Sequence, residues 1–519
     1  GDGRTAGTGA YAAAIAGTAI AALLAALLVS GCGGGDSSSA ESVSFDGAAY
    51  PNGDAANSRR ASGPIKAANV AELEQAWSLP LTAQSSFGAY ASTPAVSNGV
   101  LYSQDLESNV QAIELESGDV LWTKKYEFAD QGPNGVVAAG GRVYGGTATS
   151  AFALDRETGK QLWSVQLTRN EQEGIDMAPG YANGMVFIST VPWNAGSYYE
   201  GGAVGTLWAL DAKSGKKLWH FDTVPRSLWG EPSVNAGGGL WYTPAFDGKG
   251  SMYFGVGNPA PFPGSPGAPW GSSRPGPNLY TDSIVKMDAK TGKMDWYFQL
   301  TPHDLYDWDL EGPPMLMNVG GRELVVAGGK SGFVIALDAR SGKLVWKRAV
   351  GKHNGHDEDG LLAMQGETSK LKPPFEVSPG TLGGVIAPMS TDGSRVFVPV
   401  VNHPVTVGSG GEIEETSPEN SGELVALNVK DGSLVWKHEF AGAPAFGATT
   451  VSNDVVFATT FDGKVNAYEA QSGRQLWQEQ LPAGSNAGVT ISGDMVIAPA
   501  GLASAEGQTP QIVAYRLGG

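Results

Sequence analysis

Three aspartates stand close together in the segment T-P-H-D-L-Y-D-W-D-L, at Asp304, Asp307 and Asp309. A carboxylate can take a proton from a substrate, and a group of carboxylates can hold a hard cation through oxygen. The segment follows a short stretch that ends in Trp296 and that recurs along most of the chain. This copy alone runs into D-x-x-D-x-D, so we expect the chemistry of the protein to be located here.

The recurring unit is an apolar strand, an acidic residue or Asn, a turn with glycine, and a second strand with tryptophan. The acidic or Asn side chain can accept backbone hydrogen bonds, and glycine supplies a positive φ. The large indole ring can then bury against a neighbouring unit. Seven full copies contain Trp122, Trp163, Trp219, Trp296, Trp346, Trp436 and Trp477, and a degenerate copy contains Trp77.

Each unit also has upstream strands bounded by turns, as in the segment from Ser92 to Ser103. About four strands in a repeat of roughly forty to fifty residues are typical of a β-propeller blade. No segment shows sustained helical periodicity. The sequence therefore predicts an all-β fold, an eight-bladed β-propeller with tryptophan-docking repeats, over residues 65–519.

The spacing between successive tryptophans is uneven. The intervals from Trp219 to Trp296 and from Trp346 to Trp436 exceed one blade, so the excess must form loops. Such loops at one end of a propeller build a site over the central channel. We expect the stretch G-K-H-N-G-H-D-E-D-G to be a solvated loop over that site; the alternative is a metal site formed by His353, His356, Asp357 and Asp359.

The N-terminal region predicts export and lipid anchoring. Residues 12–29 are apolar, and L-V-S-G-C then places small residues before Cys32, which resembles a bacterial lipobox. We expect a signal peptide over residues 1–31, lipidation of Cys32, a flexible tether over residues 32–64, and an extracytoplasmic, lipid-anchored domain. An uncleaved signal anchor is the alternative.

The formal net charge of −18 argues against a nucleic-acid partner.

Several motifs resemble those of pyrroloquinoline quinone (PQQ)-dependent alcohol dehydrogenases, a family of eight-bladed propellers. Y-F-G-V-G-N-P-A-P resembles the family loop whose Asn ligates a metal ion through its amide oxygen, which implies this role for Asn258. T-P-H-D-L-Y-D resembles the segment whose second aspartate is the catalytic base, here Asp307. Y-Y-E-G-G-A-V-G-T-L-W-A-L-D resembles the segment whose glutamate ligates the metal, here Glu200.

The resemblance extends to the residues that contact the quinone. G-G-G-L-W resembles the segment whose tryptophan stacks on the quinone, which implies this role for Trp241. G-G-K-S-G matches the place where a basic residue bonds the quinone oxygens, which implies Lys330. Asp309 resembles an aspartate of the lanthanide-using members, whereas calcium enzymes tend to have a small neutral residue there. The alternative for Asp309 is a carboxylate that faces solvent.

Two features depart from the family. Many members cover one face of the cofactor with a disulfide between adjacent cysteines, but Cys32 is the only cysteine of this chain. Some relatives lack that disulfide too, so its loss does not exclude PQQ. We also expect no C-terminal haem domain, so that electrons leave to a separate acceptor, a cytochrome or a quinone.

The sequence as a whole predicts a quinoprotein dehydrogenase that oxidises an alcohol, polyol or aldehyde with PQQ and Ca²⁺ or a lanthanide ion. The alternative is a propeller lipoprotein without cofactor that binds partner proteins during assembly of the cell envelope. Convergence of Asn258, Asp307 and Glu200 discriminates between them, because a scaffold does not need these residues to meet.

Overall fold

Each copy of the repeat forms the outer half of a four-stranded antiparallel sheet in the computed structural model of the chain. The structure describes residues 43–193, 203–225, 229–414, 420–445 and 447–518. The third strand of a sheet is buried on both faces, as in Ser150–Asp155, and the outer strand Gln161–Gln166 alternates between exposed and half-buried residues. These burial patterns follow from position, because the outer strand has solvent on one side.

Eight sheets in the described part of the chain share this four-strand path. Their strands are Ala95–Ser97, Val100–Gln104, Val110–Glu114 and Val120–Lys124; Val137–Ala139, Arg142–Gly146, Ser150–Asp155 and Gln161–Gln166; Gly180–Ala182, Met185–Pro192, Thr206–Asp211 and Lys217–Asp222; Ala245–Phe246, Ser251–Gly255, Ser283–Asp288 and Met294–Gln299; Met315–Val319, Arg322–Gly328, Phe333–Asp338 and Leu344–Ala349; Ser390–Thr391, Arg395–Asn402, Ser421–Asn428 and Leu434–Ala441; Thr450–Ser452, Val455–Thr459, Lys464–Glu469 and Gln475–Gln480; Thr490–Ser492, Met495–Ala500, Gln511–Leu517 and Leu73–Pro80.

The remaining elements are short. They are the strands Arg60–Ala61, Glu173–Gly174, Ala236–Gly237, Pro259–Ala260, Phe375–Val377, Val405–Val407 and Ile413–Glu414, the 3₁₀ turns Val70–Glu72, Pro269–Gly271 and Thr368–Lys370, and the α-helix Asp359–Met364. In the part of the chain that the structure describes, no helix has the length and apolar character needed to span a membrane. The predicted all-β class is confirmed.

The turn of one sheet docks the tryptophan of its neighbour, as the repeat predicts. Thr158 donates its backbone N–H and its hydroxyl to Asp155 Oδ1, at 2.9 and 2.7 Å. Gly159 follows with a φ of +69°, and a Cβ there would lie 2.5 Å from the indole of Trp122. Trp122 Nε1 in turn donates to the carbonyl of Arg156 at 3.0 Å. The glycine is therefore required both by the backbone angle and by the close approach of the ring.

The same glycine–tryptophan contact recurs between the other sheets. The pairs are Gly118 with Trp77, Gly215 with Trp163, Gly292 with Trp219, Gly342 with Trp296, Gly432 with Trp346 and Gly473 with Trp436. The ring closes because Leu73–Pro80 pairs antiparallel with Gln511–Leu517, so an early strand and the last strand of the described chain share one sheet.

The first strands of neighbouring sheets contact one another and surround a central channel. Residues 49–61, which we call the N-terminal plug, lie against all eight of these strands or the two residues before them. Ala49 donates to Ala138, Tyr50 to Tyr181, Phe246 to Ala55, Leu316 to Ala56, Thr391 to Ser58 and Val451 to Arg59, and Arg59 donates to Thr93 and Val489.

The prediction of a flexible tether over residues 32–64 is therefore wrong for the plug. Arg59 is 2 % exposed and donates to Thr449, Thr450 and Val489, at 2.7, 2.8 and 3.2 Å. Each donor of its planar guanidinium meets a neutral oxygen, which offsets the cost of burying the group. The plug has the polar composition of a tether. Its hydrogen-bond partners are groups of distant strands, which composition does not reveal.

Candidate active site

The loop 301–311 connects the outer strand Met294–Gln299 to the channel strand Met315–Val319. Asp304 organises this loop, because its carboxylate accepts the backbone N–H of Tyr306 at 2.8 Å and of Trp308 at 2.7 Å. Between them Asp307 takes a φ of 62°, in the left-handed region that a non-glycine residue rarely adopts. Such conformations persist where surrounding contacts impose them, and they concentrate at functional sites.

Lys330 is the centre of a buried polar cluster. Its Nζ lies 2.9 Å from Asp307 Oδ2 and 2.5 Å from Asp309 Oδ2, and 4.5 Å from the ring centroid of Trp241. The lysine side chain is 3 % exposed and that of Asp309 only 1 %. The solvent-facing alternative for Asp309 is therefore wrong. Gly329 permits this approach, because a Cβ there would lie 2.4 Å from the carbonyl oxygen of Asp309.

The protonation of this cluster follows from burial and from the opposed charges. Burial raises the pKa of Asp307 well above its ordinary value, and the Lys330 ammonium opposes the shift. Burial alone would lower the pKa of Lys330, but Asp307, Asp309 and Glu311 outweigh it and raise that pKa. The raised pKa of Lys330 favours its ammonium form, and the raised pKa of Asp307 gives its carboxylate a higher affinity for a proton than that of an exposed aspartate.

Asn258 belongs to the same cluster. Its backbone N–H donates to Asp309 Oδ1 at 2.7 Å, and its side-chain amide nitrogen donates to the carbonyl of Pro259 at 3.0 Å. The amide oxygen is thereby the atom of this side chain that can serve as a metal ligand. Gly257 brings the segment against the loop, because a Cβ there would meet Asp309 Oδ1 at 2.7 Å.

Glu311 is a buried site residue that the sequence interpretation missed. It is 5 % exposed, and its Oε2 has no hydrogen-bond partner among the described residues. Burial and then the neighbouring Asp309 raise the pKa of Glu311 well above its ordinary value. A signal was present, since Asp309 and Glu311 stand at alternate positions, which share one side of an extended chain.

A second missed acid lies near the first. Asp176 is 4 % exposed, and its Oδ1 also lacks a partner within the described residues. Burial raises the pKa of Asp176 well above its ordinary value, and the charges of Asp130 and Asp309 add to the shift. The cluster thus contains more buried carboxyl groups than cations, which suits a site that receives an added positive ion.

These residues fit an oxygen-liganded cation and a planar anionic group. Ca²⁺ and similar hard cations take carboxylate and amide oxygens, which Asp309 and Asn258 present side by side. Trp241 offers an aromatic face beside the Lys330 ammonium, an arrangement suited to a flat, negatively charged molecule. No three Asp, Glu, His or Cys side chains among the described residues form a cation site by themselves. Glu200, the predicted third donor, lies outside the described residues.

The structure thus brings together Asp307, Asp309, Lys330, Trp241 and Asn258, which the sequence predicted from separate stretches. Their roles as base, ligands and quinone contacts stay predictions. The predicted lipidation site Cys32 also lies outside the described residues.

Comparison with known proteins identifies the family. The model of the PQQ family, described as the β-propeller domain of glucose, ethanol and alcohol dehydrogenases, matches residues 49–140 and 173–352, more than half of the chain. The chain belongs to the PQQ-dependent dehydrogenase family. Residues 376–518 of this PQQ-family propeller also match the model of the outer membrane protein assembly factor BamB.

Individual relatives agree with the family. The quinohemoprotein alcohol dehydrogenase of Comamonas testosteroni is 30% identical over 492 residues, which cover 80% of this chain and 66% of that protein. Quinoprotein alcohol dehydrogenase PedH of Pseudomonas putida is 28% identical over 484 residues, covering 80% and 78%. This PQQ-family chain therefore spans about two thirds of the length of its quinohemoprotein relative.

Solved structures support the fold. The quinohemoprotein alcohol dehydrogenase from Comamonas testosteroni superposes with a TM-score of 0.75 at 26% identity, covering 91% of this chain and 81% of that one. A europium-containing methanol dehydrogenase gives 0.75 at 19% identity, covering 90% and 97%. BamB from Moraxella catarrhalis gives 0.53 at 15% identity, covering 86% and 99%. The last two likenesses concern the propeller fold alone.

Proposed function

We propose that the protein is a quinoprotein dehydrogenase, which oxidises an alcohol or a related polyol or aldehyde with PQQ held against Ca²⁺ or a lanthanide ion. The observation that carries this proposal is the position of Asp307. It is held in a left-handed conformation 2.9 Å from Lys330, within the cluster that contains Asp309 and Asn258. The names of the quinoprotein and quinohemoprotein relatives support the same reaction class.

The described residues divide into three tasks around the cofactor. Asn258 and Asp309, together with Glu200, would hold the cation, and Glu311 adds a further buried carboxyl group beside them. Trp241 would support the flat face of PQQ, and Lys330 would bond its oxygens. When bound, the metal-held quinone supplies a two-electron acceptor, while the protein supplies orientation and electrostatics.

Asp307 supplies the base. Its carboxylate would accept the hydroxyl proton of the alcohol, and the raised pKa makes it a stronger base than an exposed aspartate. Lys330 holds Oδ2 of this carboxylate, so Oδ1 is the oxygen left to face the substrate. When Asp307 takes a proton, its ion pair with Lys330 weakens. The charge of the Lys330 ammonium is then less balanced and acts more strongly on the oxygens that this lysine would bond.

The partners and the location are part of the same proposal. Electrons would pass to a separate acceptor, a cytochrome or a quinone, and lipid on Cys32 would anchor the protein outside the cytoplasm. Cys32→Ala is expected to move the protein from the membrane fraction to the soluble extracytoplasmic fraction. A variant that stays with the membrane would instead support an uncleaved signal anchor.

Titration of the full chain with PQQ, in the presence of Ca²⁺ and separately of La³⁺, tests the proposal. We expect metal-dependent binding, seen as quenching of tryptophan fluorescence, and at least a tenfold loss of affinity in Asn258→Ala. Asn318→Ala is a matched control, because Asn318 is an exposed residue of the strand Met315–Val319, whose side chain accepts the backbone N–H of Gly321 in the turn that follows. The control should bind as the wild type does.

Dye-linked alcohol oxidation follows on the loaded protein. Asp307→Asn should bind PQQ and lose activity, since the variant retains the shape of the base without its proton affinity. Absence of PQQ binding with either ion would contradict the proposal. It would favour the cofactor-free scaffold that the match of residues 376–518 to BamB suggests, although the acidic cluster lies outside that match.

A further inference from the structure

Asp307 lies between two aromatic residues that are both anchored from outside the loop. The hydroxyl of Tyr306 donates to Asp359 Oδ2 at 2.6 Å, and Trp308 Nε1 donates to the carbonyl of Pro379 at 3.0 Å. Both rings are buried, at 0 % and 3 % exposure. Their partners belong to one segment, residues 351–382, which we call the insertion. The residue before and the residue after the base are therefore fixed by the same element.

Asp359 is itself held firmly. It begins the helix Asp359–Met364 and is 5 % exposed, so the prediction of a solvated loop is wrong at this residue. His356 Nδ1 lies 2.8 Å from the same carboxylate oxygen, an arrangement that requires the ring proton on Nδ1. The imidazole stacks on Phe375, with ring centroids 4.3 Å apart and planes 11° apart. Asp359 thus presents its oxygen to Tyr306 from a restrained position.

The helix also touches the backbone of the loop. A Cβ at Gly360 would lie 1.9 Å from the carbonyl oxygen of His303, so only glycine permits this approach. His303 in turn contacts the carbonyls of Gly276 and Trp270, at 3.0 and 3.1 Å. The loop is therefore held at residues 303, 306 and 308, on both sides of Asp307.

Asp304 alone does not explain the position of Asp307. Its two backbone hydrogen bonds close the turn, but a left-handed backbone is unfavourable for a non-glycine residue and needs further contacts to persist. If Tyr306 could rotate, the peptide bond that precedes Asp307 could rotate with it. The buried bond from Tyr306 to Asp359 prevents this rotation.

We propose that Asp359, oriented by His356 and bonded to the Tyr306 hydroxyl, is a positioning residue that keeps the carboxylate of Asp307 directed at the substrate. The catalytic part of this inference rests on the proposed function. Asp359 touches neither Lys330 nor the predicted ligands in the described structure, so it acts on the base and leaves the binding of cofactor unchanged.

Four variants of the full chain test the inference. Tyr306→Phe removes the hydroxyl and retains the ring, Asp359→Ala removes the acceptor, and Asp359→Asn retains an acceptor oxygen. Tyr126→Phe is the matched control, because it removes a tyrosine hydroxyl that bonds Gln161 at 3.0 Å on the exposed outer side of another sheet. Each is loaded with PQQ and Ca²⁺ or La³⁺ and assayed for alcohol oxidation, PQQ affinity and hydrogen exchange of residues 301–311.

Tyr306→Phe and Asp359→Ala are expected to lower kcat by about 10- to 100-fold, since a displacement near 1 Å at a reacting group has effects of this size. KM and PQQ affinity should stay within about twofold of the wild type, and exchange of residues 301–311 should become at least about fivefold faster. Asp359→Asn should restore most of kcat, because its amide oxygen can accept from Tyr306.

The inference is overturned if Asp359→Ala retains kcat within twofold, or if its exchange matches that of the wild type. Parallel loss of PQQ affinity and kcat would also overturn it, because the insertion would then support the whole site. A wild type that exchanges slowly at residues 301–311 but does not oxidise alcohols would refute the proposed function alone. In that case the exchange of Asp359→Ala still decides whether the bond orders the loop.

Discussion

Replacement of Lys330 with methionine is expected to destabilise the cofactor-free protein by about 3–5 kcal/mol, the usual loss when one partner of a buried ion pair is removed. Lys330 Nζ lies 2.9 Å from Asp307 and 2.5 Å from Asp309. At an effective dielectric constant of about 20, each pair has a gross attraction of about 6 kcal/mol. Most of this attraction offsets desolvation, so the net loss is smaller. Methionine fills a similar volume, so the change is mainly one of charge.

Thermal unfolding followed by tryptophan fluorescence measures this loss. Unfolding entropy of about 2 cal/mol/K per residue amounts to about 1 kcal/mol/K for a chain of this length, so the unfolding temperature should fall by about 3–5 °C. Lys249→Met is the matched control, since Lys249 pairs with Glu323 where both side chains are more than half exposed. A surface pair of this kind contributes at most about 1 kcal/mol, and the control should shift by less than 1 °C.

A double variant separates charge from packing. Asp307→Asn in the Lys330→Met background removes one of the uncompensated carboxylates, so it should recover at least about 1 kcal/mol of the loss. An unfolding temperature of Lys330→Met within 1 °C of the wild type at pH 7.5 would refute the reasoning. It would mean that the acids around Lys330 are already neutral in the folded protein, so that the cluster has no excess negative charge to attract a cation.

Three further predictions concern pH and packing. Burial lowers the pKa of His303 to about 4, so its contribution to the free energy of unfolding is present above pH ~6.5. This contribution, up to about 3 kcal/mol, is lost as pH falls towards 4. Thermal unfolding of His303→Asn, measured across this pH range, should lack the loss. Burial raises the pKa of Asp130 to about 7, so its contribution to the free energy of unfolding is present below pH ~4 and lost as pH rises to 7. The stability of Asp130→Asn relative to the wild type should therefore increase by about 2–3 kcal/mol between pH 5 and pH 8. Gly159→Ala should lower the free energy of unfolding, measured by urea titration, by about 2–4 kcal/mol, and Gly184→Ala by about 1 kcal/mol. Both glycines have a positive φ, but only Gly159 lies against Trp122. Equal losses would contradict the docking argument.

The sheets and their docking were predictable because the interactions that form them are local. Asp155, Thr158 and Gly159 specify the turn within five residues, and the tryptophan that follows in each repeat has a fixed place on the next turn. Periodic repetition made the pattern visible in one sequence. The approach of Asp307, Asp309 and Lys330 needed more than pattern, since only the resemblance to the PQQ family connected these separate stretches.

The plug and the insertion could not be predicted in the same way. Arg59 stands in a polar stretch, and three of its partners are two backbone oxygens and a hydroxyl that lie 390 to 430 residues further along the chain. Nothing in composition distinguishes such a segment from a solvated tether. The burial of Asp359 was also not predictable. Its neighbours His356 and Asp357 are typical of an exposed loop, and its partner Tyr306 lies in another element.

The N-terminal plug has a consequence for the order in which the molecule is made. Residues 49–61 are made before the strands that they contact, since the groups that Arg59 bonds extend to Val489, and Leu73–Pro80 pairs with Gln511–Leu517. Neither docking event can take place until almost the whole chain has been synthesised. Until then the closing sheet is incomplete and the plug lacks part of its hydrogen bonds. These early segments must therefore stay without their final partners until the last strand has been made.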